Sequence, residues 1–193
     1  MGETYTMTLR PRTVGDAGAT AAPILEEARN QLGFVPNMYA VMANSPGALR
    51  TYLDGYNRFR KDSGFGAVEQ EVVFLTISRS NGCEYCMAAH STIADLMSKV
   101  PPEVTAAIRE GQAIPDARLA ALAQFTDVML DSRGRPSPAA VATFLAAGYE
   151  ERHVLEIILA IAVKTISNYS NHVFHTPVDG MFAERSWTHT ASV

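Results

Sequence analysis

The chain has 193 residues, 47% of them hydrophobic and 19% charged, with a net charge of −4 at pH 7. This composition excludes an intrinsically disordered protein, and the scattered basic residues form no patch that would indicate a nucleic-acid partner. The longest strictly apolar run, residues 157–163, is far shorter than the ~20 residues that span a bilayer. The N-terminus lacks the apolar core of an export signal. We therefore expect one cytoplasmic domain over residues 1–193, with no membrane or nucleic-acid partner.

Every predicted element in the N-terminal half is a helix, since no stretch alternates apolar and polar residues in the manner of a strand. Residues 1–22 are interpreted as an N-terminal extension, and Pro23 as the start of the first helix. Ser45 is expected to cap the next helix, and Asn81-Gly82 to separate two others. The helices predicted in this half cover residues 23–32, 46–61, 67–80 and 83–100.

The C-terminal half is also predicted to be helical, with Asp116 and Ser137 as capping residues. The helices predicted here cover residues 103–110, 117–132, 137–147 and 150–174. The last is apolar nearly all round over residues 154–163, so we expect it to be central. The result is an all-α domain, with an irregular tail over about residues 183–193.

Two sets of four residues share the same spacing. The first set is Glu71, Cys83, Cys86 and His90; the second set, 85 residues later, is Glu156, Asn168, Asn171 and His175. Arg79 and Lys164 are related by the same offset. These matches predict a duplicated helical unit whose second copy has lost its thiols, with chance coincidence as the alternative.

The two cysteines of the chain, Cys83 and Cys86, form a Cys-x-x-Cys motif. Residues three or four apart share a helix face, so both thiols are expected beside His90. The start of a helix favours a thiolate, the reactive form of cysteine, and His90 can accept its proton. Glu71 is expected to fold back towards these residues, with a pKa raised by burial that suits a general base.

Each of these residues also has a simpler interpretation. The cysteines can be packing residues, or can bind zinc with His90 and Glu71. Glu71 can be a structural acid in a salt bridge, and Tyr85 a packing residue with a partnered hydroxyl. The four remaining histidines have no comparable spacing to a thiol and are interpreted as structural, interfacial or solvated.

The pattern of Glu71, Ser80, Cys83-x-Tyr85-Cys86-x-x-Ala89-His90 resembles the AhpD-like alkylhydroperoxidase and carboxymuconolactone decarboxylase superfamily. Residues 32–38 and 168–177 are similar to segments of its peroxidase-related branch. The resemblance covers roughly residues 23–182.

The resemblance implies an all-helical fold that assembles as trimers or hexamers. It assigns peroxide attack to Cys86, resolution into a disulfide to Cys83, and a proton relay to His90 and Glu71. The reductant it implies is an external dithiol, on a lipoylated or thioredoxin-like protein, with no metal or organic cofactor. Well-characterised hydroperoxidases carry histidine where this chain has Tyr85, and a phenol is a poor base at neutral pH.

The function predicted from the sequence is a thiol-dependent peroxidase that acts on hydroperoxides. A disulfide reductase or redox partner protein would use the same thiols for another task. A decarboxylase-like enzyme is less favoured, because those superfamily members generally lack the cysteine pair. A non-redox helical binding protein is the remaining alternative.

Overall fold

The computed structural model describes residues 4–189, and these contain helices and loops but no strand. Nine α-helices follow in chain order: α1 (Gly18–Leu32), α2 (Asn37–Met42), α3 (Pro46–Asp62), α4 (Ala67–Ser80), α5 (Glu84–Ile93), α6 (Pro102–Glu110), α7 (Ala117–Asp131), α8 (Pro138–Ala146) and α9 (Glu151–Phe174). The predicted all-α fold is confirmed. No helix among the described residues is long and apolar enough to cross a membrane.

Helix α4 is the centre of the fold, and this corrects the prediction for α9. All residues of α4 from 69 to 78 are buried, and the helix packs against α5, α6, α7 and α9. Among its buried polar side chains, Gln70 donates to the carbonyls of Arg60 and Phe65, which satisfies its amide away from water. In α9, by contrast, Leu155 and Ile158 are exposed, so its continuous apolar sequence does not place it at the centre.

Three predicted boundaries differ from the structure. Helix α1 begins at Gly18, inside the expected extension, and contains Pro23. Pro23 is exposed, so water can bond the carbonyl that its missing N–H leaves free. The helix predicted to reach residue 100 ends as α5, and Ala94–Ser98 forms a π-helical turn. The six-residue α2 was missed.

The expected irregular tail contains a 3-10 helix, Gly180–Arg185. Arg109 of α6 donates hydrogen bonds to the carbonyls of Arg185 and Ser186, and Trp187 donates to the carbonyl of Arg109. These bonds fix the chain after α9 against α6. Residues 190–193 of the predicted tail, and residues 1–3 of the predicted extension, lie outside the described residues.

Candidate active site

The turn between α4 and α5 positions the two thiols. Gly82 has φ of 66°, a left-handed conformation that favours glycine. Its N–H bonds to the carbonyl of Arg79, and the N–H of Cys83 bonds to that of Ser78. This is the Schellman pattern at the end of a helix. It makes Cys83 the N-cap of α5 and puts Cys86 in the first turn, as the sequence predicted.

Side chains of α9 surround the two sulfurs. Both cysteines are buried free thiols. Asn171 Nδ2 lies 3.4 Å from Cys86 Sγ and 3.8 Å from Cys83 Sγ, in position to donate to either sulfur. Ser167 Oγ lies 3.9 Å from Cys86 Sγ. Asn171, which occupies the position of Cys86 in the second set, therefore contacts both thiols of the first set.

The pKa values of the two thiols are shifted in opposite directions. Burial opposes ionisation of Cys86, but a hydrogen bond from the Cys83 thiol and the ammonium of Lys164 together hold its pKa well below the usual range. The hydrogen bond to Cys86, together with burial, raises the pKa of Cys83. Cys86 is therefore the sulfur that ionises first, with Cys83 as its hydrogen-bond donor.

Glu71 and His90 form a buried pair, and Arg60 forms an ion pair with Glu71. His90 Nδ1 lies 2.8 Å from Glu71 Oε2, and the guanidinium of Arg60 forms an ion pair with Glu71 Oε1. Burial acts to raise the pKa of Glu71, but His90 and Arg60 outweigh it, and the pKa is lowered. The expected raised pKa of Glu71 is therefore wrong, because His90 and Arg60 of α3 both bond to this carboxylate, and no sequence pattern indicates the contact with Arg60.

The ionised Glu71 determines the tautomer of His90. Burial and the charge of Lys164 lower the pKa of His90, so its imidazole is neutral at pH 7. A carboxylate is purely an acceptor, so Nδ1 must donate to it. This leaves Nε2 of His90 with a free lone pair, which can accept a proton.

A cavity of about 780 Å³ opens onto this group from between α1, α3 and α5. Cys86 and His90 line it, whereas Cys83 and Glu71 are not among the described residues that do. Its walls are rich in aromatic side chains: Phe34, Tyr39, Tyr52, Tyr56, Tyr85 and Phe182. A molecule in the cavity thus meets one sulfur of the pair and the imidazole, beside an aromatic wall.

Tyr85 is bonded away from the thiols. Its hydroxyl donates to the carboxylate of Asp179, which also accepts from the backbone N–H of Asn37 at 3.2 Å. Burial raises the pKa of Tyr85, and the bond to Asp179 raises it further. Tyr85 therefore ties α5 to α2 and the segment before the 3-10 helix, and does not act as a base.

Four side chains of the site were not identified from the sequence: Arg60, Lys164, Ser167 and Asn171. Asn171 was within reach of prediction, because it belongs to the second set. Lys164 directly follows the apolar run of α9, and a charge there is a sign of a special environment. Within residues 4–189, no group of three or more His, Cys, Asp or Glu side chains is arranged to hold a metal ion.

Comparisons with known proteins agree with the all-helical fold. Residues 46–127 match the model of the carboxymuconolactone decarboxylase family. A peroxidase-related protein with an alkylhydroperoxidase AhpD core, from Ralstonia eutropha JMP134, is 20% identical; 90% of this chain and 93% of that one superpose with a TM-score of 0.80. A peroxidase-related protein from Silicibacter sp. TM1040 is 19% identical, with coverages of 94% and 97% and a TM-score of 0.73.

A third solved structure is that of a debrominase. It is a cysteine-to-alanine variant of the debrominase Bmp8 in complex with 2,3,4-tribromopyrrole, 16% identical, with coverages of 95% and 97% and a TM-score of 0.74. No curated protein matches the chain. The fold of this chain is therefore shared by peroxidase-related proteins and by a debrominase.

Proposed function

We propose that this chain is a member of the AhpD-like carboxymuconolactone decarboxylase superfamily, as the family match over residues 46–127 and the shared fold support, and that it reduces hydroperoxides through Cys86 and Cys83. The observation that carries the proposal is the unequal placement of the thiols. Cys86 lines the cavity and Cys83 lies behind it. An oxidant in the cavity would thus meet the sulfur that ionises more readily.

The proposed reaction uses both sulfurs in turn. The Cys86 thiolate attacks one oxygen of the hydroperoxide; the O–O bond breaks, and the alkoxide leaves and is protonated to the alcohol. The resulting Cys86 sulfenic acid is attacked by Cys83, water leaves, and a disulfide forms. An external dithiol, lipoylated or thioredoxin-like, returns the two electrons and becomes a disulfide itself.

His90 would carry the protons of this reaction. Its neutral imidazole can take up a proton from solvent in the cavity through Nε2 and deliver it to the leaving alkoxide. Glu71, held ionised by Arg60, keeps the ring oriented and stabilises the imidazolium while it exists. Glu71 then acts through His90 rather than as a base itself.

We further propose that the protein is a homo-oligomer. The support is the exposed apolar surface of α9, where Leu155 is 68% and Ile158 44% exposed. Apolar patches of this kind often lie between subunits. Light scattering that gives the mass of a single chain would contradict this part of the proposal.

A free-thiol count on the reduced protein tests the proposed reaction. One equivalent of cumene hydroperoxide should remove both thiols within seconds, and dihydrolipoamide should restore them. Cys83→Ser should instead lose its one thiol to a sulfenic acid that dimedone traps. If both thiols persist in the wild-type protein, the proposal is wrong for organic hydroperoxides.

Reductive dehalogenation of an aromatic compound is a second candidate. The aromatic wall of the cavity favours it, as does the debrominase among the solved neighbours. The Cys86 thiolate would take the halogen from carbon, and the carbanion left behind would be protonated. Cys83 would then displace halide to form the same disulfide. Release of bromide from a bromopyrrole, stoichiometric with thiol loss, would distinguish this reaction from peroxide reduction.

A further inference from the structure

Lys164 of α9 has an unusual environment. Its side chain is 1% exposed, and its Nζ has no hydrogen-bond partner among the described residues. A buried ammonium without a partner is strongly unfavourable, so such groups normally lie beside an anion. A negative charge near Lys164 would therefore stabilise the folded protein.

Lys164 lies on the face of α9 that carries Ser167 and Asn171, both of which contact Cys86 Sγ. Ser167 Oγ donates to the carbonyl of Lys164 at 3.2 Å and lies 3.9 Å from Cys86 Sγ. At the other end of the side chain, Nζ lies 5.6 Å from the ring centroid of Phe74. That ring lies 4.8 Å, between centroids, from the ring of His90.

The charges around Cys86 leave Lys164 without a bonded anion. Glu71 is paired with Arg60 and His90, and Asp179 with Tyr85 and Asn37. Titratable side chains from four helices and one loop surround Cys86. Tyr52, Tyr56 and Arg60 come from α3, and Glu71 comes from α4. The others are Cys83, Tyr85 and His90 at or within α5, Lys164 and His172 in α9, and Asp179 before the 3-10 helix. A thiolate at Cys86 would supply the missing negative charge.

We propose that Lys164 is a positioning residue of this site, whose ammonium holds the Cys86 sulfur as a thiolate in the reduced protein. The inference rests on the proposed thiol chemistry. It has a consequence for the oxidised protein: a disulfide carries no charge, so oxidation leaves Lys164 buried without an anion. Reduced protein is thereby favoured, as in other pairs whose thiolate is stabilised.

The test is the pH dependence of Cys86 alkylation in the full-length reduced protein. Iodoacetamide would be the probe, with tandem mass spectrometry to separate Cys86 from Cys83. Lys164→Met should raise the pH midpoint by at least about one unit and slow alkylation about tenfold near pH 6. Lys164→Arg should keep the wild-type midpoint. Arg79→Met removes the cation at the matching offset, whose guanidinium lies beside Gly111, and should also leave the midpoint unchanged.

Three results would overturn the proposal. One is a folded Lys164→Met protein with the wild-type midpoint. Another is an equal shift in Lys164→Arg. The third needs no variant: a reduced wild-type protein without thiolate ultraviolet absorbance at pH 7. If Lys164→Met does not fold, Lys164→Gln takes its place. Alkylation uses neither peroxide nor reductant, so a protein that fails to reduce hydroperoxides still tests Lys164.

Discussion

The first and second sets have the same spacing but different structures. The first spans α4, the turn at Gly82 and α5, whereas Glu156, Asn168 and Asn171 lie in the unbroken helix α9, with His175 as its C-cap. Glu71 is fully buried in an ion pair, while Glu156 is half-buried and forms no ion pair or hydrogen bond within residues 4–189. The chemistry therefore depends on the helix break and on burial, not on spacing.

The predicted duplication is accordingly not repeated in local structure. The two sets nevertheless meet, because Asn171 contacts both sulfurs and Asn168 accepts a hydrogen bond from Asn81 in the turn before Cys83. The helix without thiols thus lines the site of the helix that has them. Matched substitutions in the two sets can separate these roles.

The largest expected effect is from Cys86→Ser. Loss of the attacking sulfur should reduce hydroperoxide turnover by at least about a thousandfold, because no other group in the cavity can form the sulfenic acid. Peroxide consumption with excess dihydrolipoamide measures it. Substitution of Asn171 should cost far less. Full turnover in Cys86→Ser would refute the proposed role of this sulfur.

Glu71→Gln should destabilise the fold strongly. It leaves the Arg60 guanidinium, which has a 20% exposed side chain, without its buried partner, and breaking such a pair costs about 3–5 kcal/mol. The matched control, Glu156→Gln, should change the free energy of unfolding by less than about 0.5 kcal/mol. Urea unfolding measures both. Equal effects would mean that the buried ion pair contributes nothing to stability.

Acid should destabilise the protein partly through His90. Its pKa is lower in the folded chain than in the unfolded chain, so below about pH 6.5 the unfolded chain binds more protons and stability falls. Glu71, whose pKa is also lowered, acts in the same direction at more acidic pH. His90→Asn should remove up to about 1.4 kcal/mol per pH unit of the slope just below about pH 6.5.

The control for this prediction is His175→Asn. His175 is exposed, and as the C-cap of α9 it has φ of 47°, a conformation that asparagine tolerates. Unfolding free energies at several pH values should show the wild-type slope in this variant. The same loss of slope in both variants would contradict a special role for His90.

The smallest effect is expected from Asn171→Ala. It removes a long hydrogen bond to the Cys86 sulfur, and alkylation of Cys86 near pH 6 should slow by about 3–10-fold. Asn168→Ala removes the bond to Asn81 and touches neither sulfur, so the alkylation rate should stay at the wild-type value. A rate unchanged in Asn171→Ala would show that Asn171 does not stabilise the thiolate.

The sequence was most informative where local signals determine structure. The bounds of α4 were predicted to the residue, because Gly66 and Asn81-Gly82 interrupt the helical pattern on either side. Helix α2 is too short to show a helical period of apolar residues. Pro23 was interpreted as the first residue of α1, because proline is rare inside helices, whereas α1 begins before it. The lowered pKa of Glu71 depends on His90, which the spacing had placed nearby, and on Arg60, which comes from a separate helix and which no spacing within α4 and α5 could reveal.

Because Cys83 is enclosed behind Cys86, the oxidation of the thiols and the reduction of the disulfide would both take place through one entrance. The hydroperoxide and the dithiol must each reach Cys86 through the same cavity, so they exclude one another. The proposed enzyme should therefore show ping-pong kinetics, with parallel double-reciprocal plots. An excess of dithiol should inhibit it competitively against hydroperoxide. The rate of the whole cycle would then depend on how quickly each product leaves the cavity before the next substrate enters.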